Sequence, residues 1–176
     1  MSVSMHKASI PVFIRGLEAL SAILGKASAY AKEKKIDEST LINARLAPDM
    51  FPLSRQIQSA SDTAKFAITR LTGIEAPKYE DNEATLAELQ ERIAKTVTFL
   101  KNVDIAVFKD SEAHTVTMHF GKSQSLFRGS NYLLHFALPN FYFHVTTAYD
   151  ILRHLGLNIG KRDFLGSYDE SQEMNE

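Results

Sequence analysis

A chain of 176 residues, 44% of them apolar, with 20 Lys and Arg against 21 Asp and Glu, a formal charge of −1 and no cysteine, is long enough to close one hydrophobic core. The composition excludes disulfides, cysteine-based zinc sites and a thiol nucleophile. The balanced charge gives no basis for nucleic-acid binding, which needs a basic face to neutralise phosphates.

Residues 1–9 contain no apolar h-region, and Arg15, Gly16 and Glu18 interrupt the apolar residues that follow, so no secretory signal is expected. The longest apolar stretch, 136–145, includes Pro139, Asn140 and His144 and falls short of the ~20 residues a membrane helix needs. The expected protein is cytoplasmic, with neither a membrane nor a nucleic acid among its partners.

Phe13, Leu17, Leu20, Leu24, Ala27 and Ala31 recur at helical spacing and predict a helix over 11–35. Ser9 is placed to cap it, Pro11 falls in its first turn, and Lys32, Lys34 and Lys35 suit the negative end of its dipole. Residues 36–51 read as a connector with one short helical turn over 40–46. Leu53, Ile57, Ala60, Ala64, Ala67 and Leu71 predict a second helix over 50–72, with Asp49 placed to cap it and Gly73 to stop it. The polar segment 73–83, which contains Pro77, reads as a loop across one end of the molecule. Thr85-Leu86-Ala87-Glu88 has the form of a capping box and opens a third helix that ends near 103. Val116, Met118 and Phe120 alternate with Thr115, Thr117 and His119, which predicts a hairpin connected through 121–124. The last helical region, 130–156, carries Pro139, which is expected to kink or split it. Residues 157–166 read as a clasp or interface arm, and the acidic end at 167–176 as a frayed tail. The pattern is an all-α, antiparallel four-helix bundle over 1–176, one domain, with a small β-hairpin between the third and fourth helices.

Bundle sites are built from side chains on facing helices, so ionisable residues on the apolar stripes are the candidates for chemistry. His144 is the foremost. It shares a helix face with Ala137, Phe141, Ala148 and Ile151, and Asn140 lies one turn earlier on that face. Two readings stand for it: a core histidine satisfied by a neighbouring carbonyl or hydroxyl, or a ligand or general base. Asp49 is the carboxylate of interest, as a helix cap or as a catalytic group. His135 lies nine residues before His144, with Pro139 between them, and Tyr149 or Tyr142 would bring a hydroxyl to a pocket. No His-Glu-x-x-His or His-x-x-x-His pattern supports a metal directly.

Three segments carry a family resemblance: Leu46-Ala47-Pro48-Asp49-Met50-Phe51-Pro52-Leu53, the helical run from Pro139-Asn140-Phe141-Tyr142-Phe143-His144 to Arg153-His154-Leu155-Gly156, and Gly160-Lys161-Arg162-Asp163-Phe164-Leu165-Gly166. In these the chain resembles a bacterial and fungal family of unknown function within the DinB/YfiT-like superfamily, and the likeness spans essentially the whole chain as far as Gly166. The resemblance implies a DinB-like four-helix bundle, often a homodimer. It also implies a divalent metal, zinc or nickel, which better understood DinB-like proteins hold with one histidine from the second helix and a His-x-x-x-His pair on the last. Some of those proteins are transferases or isomerases that work with small thiols. Aligned through Arg153 and Gly156, the second histidine of that pair falls on His144 and the first on Asn140, while the second long helix supplies none. A rebuilt site would draw on the Asn140 carbonyl, the Asp49 carboxylate or His135.

Two functions are therefore expected. One is a metal- or thiol-dependent small-molecule enzyme with its site around His144. The other is a non-enzymatic homodimeric ligand-binding or interaction bundle with a degenerate metal site and no metal. An open, polar cavity at His144 favours the first, and close packing of Phe141 and Ala148 over its ring favours the second.

Overall fold

The structure, a computed structural model, describes residues 3–166, so the tail expected to be frayed lies outside the described residues. About 65% of the described residues are helical. Ser4, not Ser9, caps the first helix: its Oγ accepts from the Lys7 N–H and starts α1 (Met5–Lys34) earlier than expected. Ser9 is fully buried inside the helix and donates its hydroxyl to the Met5 carbonyl at 2.7 Å. The short α2 (Glu38–Ile42), capped by Asp37, buries Leu41 and Ile42.

The second long helix, α3 (Leu53–Thr72), begins after Pro52 and ends at Gly73, whose φ of 79° is the left-handed stop. Asp49 does not cap it. The Leu53 N–H donates to the Ala44 carbonyl, which closes residues 45–52 into a separate turn and leaves Asp49 exposed on it.

Residues 73–85 do not cross the end of the molecule; they run back along α3. Lys65 donates to the Pro77 carbonyl, and nearer the start of α3 Gln58 donates to Glu83 while Arg55 pairs with Asp81. This strap returns the chain to the end where α3 began, and α4 (Leu86–Lys101) opens there with the Thr85–Glu88 capping box. Arg92, 2% exposed, and Lys65, 2% exposed, hold the strap from beneath. Arg92 bonds Asp62, Asp81 and Glu83, and Lys65 bonds Asp62 and lies 4.0 Å from the Tyr79 ring centroid.

After a 3-10 turn at Ile105–Phe108, β1 (Thr115–Phe120) and β2 (Ser123–Arg128) form the expected hairpin. The turn is only Gly121-Lys122, with Gly121 at φ 60°, so Ser123 and Gln124 belong to the strand rather than to the connection. Val116 and Met118 face the bundle, and Phe127 and Phe120 meet Phe136 edge-on or tilted. Gly129 starts the next helix where a Cβ would stand 1.9 Å from the Ser111 carbonyl oxygen, a position that only glycine fits.

The backbone is then helical through α5 (Gly129–Tyr132), a π turn at Leu133–Ala137 and α6 (Leu138–His154). Pro139 does not split this run. The wider π turn sits directly before it, where the proline ring would otherwise meet the carbonyl of His135.

α6 packs antiparallel to α3 and beside α1, and α4 packs antiparallel to α1 and beside α3, which makes a four-helix bundle around one core. α7 (Lys161–Leu165) clasps α1 through Arg15 to the Leu165 carbonyl and Lys26 to Asp163. Among the described residues the helix with an apolar window of membrane-spanning length is α1 and not the 136–145 stretch. It is long and apolar enough to cross a membrane, yet half of its most apolar window is buried in the bundle.

Candidate functional site

α3 and α6 face each other along a polar seam inside an otherwise apolar contact. Gln56 lies three residues after Leu53 on the buried stripe of α3 and is 1% exposed. Its Nε2 donates to the Phe51 carbonyl, which orients the amide and turns Oε1 toward α6. There Oε1 accepts a hydrogen bond from His144 Nδ1 at 2.7 Å. Since a carboxamide oxygen can only accept, Nδ1 carries the proton and Nε2 carries the lone pair. One turn earlier on α6, Asn140 Nδ2 donates to Thr63 Oγ1 at 2.8 Å, and Thr63 in turn donates to the Ser59 carbonyl.

Of these residues His144, Asn140, Thr63 and Ser59 border a cavity of about 240 Å³ between the two helices. Its polar lining comes from Ser59, Asp62, Thr63, Arg70, Asn140 and His144, and Phe66, Met118, Tyr132 and Phe136 supply aromatic and apolar wall. Burial lowers the His144 pKa below its ordinary value of 6.5, and the positive charge of Arg55 lowers it further. The ring is thus neutral at neutral pH. A depressed histidine pKa contributes stability in full above 6.5 that is lost as the pH falls through the folded-state value.

The sequence candidates separate. His144 and Asn140 line one cavity. His135 is exposed on the π turn, and Asp49 is exposed on the 45–52 turn; neither lines that cavity. Tyr149 packs against Phe164 of the α7 arm, with ring centroids 5.8 Å apart, and Tyr142 packs against Phe141 and Phe164. Gln56 and Arg70 were not singled out in the sequence. Gln56 was detectable by the same test that found His144, as a polar residue on an apolar stripe; Arg70 carried no such signal.

The donors present do not fit a resident zinc or nickel ion. Among the described residues no three His, Cys, Asp or Glu side chains gather as a ligand set. His144 offers Nε2 alone, and Asp62, the carboxylate in the cavity, is held by Arg92 and Lys65. A tetrahedral site needs at least three protein donors.

Known proteins give the same architecture. The pattern of the family described as "Domain of unknown function (DUF1993)" matches residues 5–165. The chain is similar to a crystal structure of a DinB family member protein from Shewanella denitrificans, at 42% identity and a TM-score of 0.88 over 93% of each chain. No curated protein matches it.

Proposed function

The chain belongs to the DUF1993 family, a DinB-like family of unknown function, and on that premise we propose that the cavity between α3 and α6 is the active site of a small-molecule enzyme with His144 Nε2 as its general base. One observation carries the reading. Gln56 fixes the imidazole tautomer, so that a neutral, basic nitrogen is left beside an open polar cavity rather than packed under Phe141 and Ala148. In the step this supports, a bound X–H group, such as a small thiol or water, passes its proton to Nε2 and becomes the nucleophile. The Gln56 carbonyl steadies the imidazolium through Nδ1–H, and the proton returns to the product. Asn140 and Thr63 orient the substrate, and no step runs through a metal.

The same proposal includes a cytoplasmic homodimer. Phe66 lines the cavity, Phe120 packs on its wall residue Phe136, and Phe143 lies beside the His144 ring; all three remain exposed, a collar suited to a second copy.

A library of small thiols and electrophiles, followed through the His144 ring signals by NMR, tests the site. Compounds that enter it are expected to shift those signals, and turnover of a reactive pair is expected to fall about 10²–10⁴-fold in His144→Gln. Turnover unchanged in His144→Gln, or a cavity that no small molecule enters, would overturn the reading.

A further inference from the structure

Arg70 lines the same cavity as His144. Asn140, one turn before His144, meets α3 at Thr63, seven residues or about 10 Å of helix axis before Arg70. Arg70 Nη1 donates to the Tyr132 hydroxyl at 3.1 Å. The guanidinium also stacks over Phe66 and Tyr132, 5.6 and 6.0 Å from their ring centroids. Among the described residues no carboxylate lies within ion-pair distance of it, although its neighbour in the cavity wall, Asp62, is bonded to both Arg92 and Lys65. Arg70 is therefore a partly buried cation held in place by two aromatic rings and a hydroxyl, with guanidinium N–H groups to spare. Tyr132 is 1% exposed, and its oxygen accepts from Arg70 while no described residue accepts its hydrogen. A burial cost of this kind is offset when an anion arrives.

Resting on the active-site reading above, we infer that this cavity selects a small carboxylate-bearing organic molecule, whose carboxylate binds Arg70 and the Tyr132 hydroxyl while its reactive end lies at His144. A carboxylate fits better than a phosphate. A single planar guanidinium with one hydroxyl matches two oxygens, and among the described residues no glycine-rich loop or second cation borders the cavity. The body of the ligand lies along Phe66, Met118 and Phe136, so it is apolar or aromatic. At about 240 Å³ the cavity is smaller than the ~300–1,000 Å³ of sites for drug-sized ligands, and the molecule is correspondingly small.

The experiment titrates the full chain with a graded series from acetate to phenylpropionate, with the matching amides, and with inorganic phosphate. NMR signals of His144 and of the Arg70 guanidinium report the site. At least one carboxylate is expected to move both sets of signals and to bind at least tenfold more tightly than its amide. Arg70→Gln is expected to abolish that preference, Arg70→Lys to restore part of it, and Tyr132→Phe, which keeps the ring packing, to weaken the carboxylate alone. Amides that bind as well as acids, a preference that survives Arg70→Gln, or phosphate that binds more tightly than every carboxylate would overturn this inference and leave the His144 site standing. If no member of the series reaches either residue, this inference falls, and the active-site reading is decided by the thiol and electrophile library.

Discussion

Arg92→Ala is expected to destabilise the protein by about 3–5 kcal/mol, the usual cost of removing one partner from a buried ionic cluster. The side chain is 2% exposed and carries Asp62, Asp81 and Glu83, with Ser61 beneath Nε. Its loss strands Glu83, 9% exposed, and leaves Asp62 and Asp81, which keep some solvent contact, to Lys65 and Arg55 alone. Burial opposes ionisation of Asp81 and Glu83, but hydrogen bonds and charge outweigh it, from Arg55 and Arg92 on Asp81 and from Arg92 and Gln58 on Glu83, and both pKa values fall below the ordinary carboxylate range. That contribution is therefore present above the unfolded carboxylate pKa and lost as the pH falls through the lowered values. Urea unfolding of wild type and variant at neutral pH measures the effect. A loss below about 1 kcal/mol, the range of exposed ion pairs, would mean that solvent screens the cluster and that the strap is held by something else.

Phe141→Ala is expected to cost about 3–5 kcal/mol, as for other fully buried aromatic residues. The ring is 0% exposed, lies edge-on to Phe13 at 5.0 Å and presses on Gly16 of α1. A Cβ at Gly16 would stand 2.5 Å from its Cε1, so Gly16→Ala is destabilising in the wild-type chain. Combined with Phe141→Ala the sign should reverse. With the ring gone the methyl enters vacated space, and alanine gains about 1 kcal/mol over glycine within a helix. Denaturant unfolding of both single variants and the double variant closes the cycle. Additive losses would contradict the packing of α1 on α6 described above.

The bundle was legible because its stripes are clean. Leu17, Leu20, Leu24, Ile57, Ala60, Ala64 and Ile93 are buried as their spacing requires, and the Thr85–Glu88 box is present as written. The misreadings came where a local signal had two solutions. Ser4 and Ser9 are both plausible caps; Ser4 accepts from the Lys7 N–H, whereas Ser9 is buried inside the helix and bonds back to the Met5 carbonyl. Asp49 resembles an N-cap, but the Leu53 N–H bond to Ala44 takes the chain elsewhere. Pro139 signals a break that a π turn absorbs, and nothing local announces that turn. The path of the strap depends on Lys65 and Arg92, far from it in sequence, whose buried pairing is a tertiary matter. At the proposed site, the shared position of His144 and Asn140 was readable from their face of α6, whereas the hydrogen bond from His144 to Gln56 and the contact of Arg70 with Tyr132 depend on how α3 and α6 pack.

In the proposed site His144 presents a neutral, lone-pair-bearing Nε2 to an open cavity because Gln56 holds Nδ1–H. Long-range ¹H–¹⁵N NMR of the imidazole across a pH series tests this most directly, since it reads the tautomer and the titration together. The predicted result is the Nδ1–H tautomer with a midpoint below 6.5, shifting toward Nε2–H when Gln56→Leu removes the acceptor. An Nε2–H tautomer in the wild-type protein, or a midpoint above 6.5, would contradict the account.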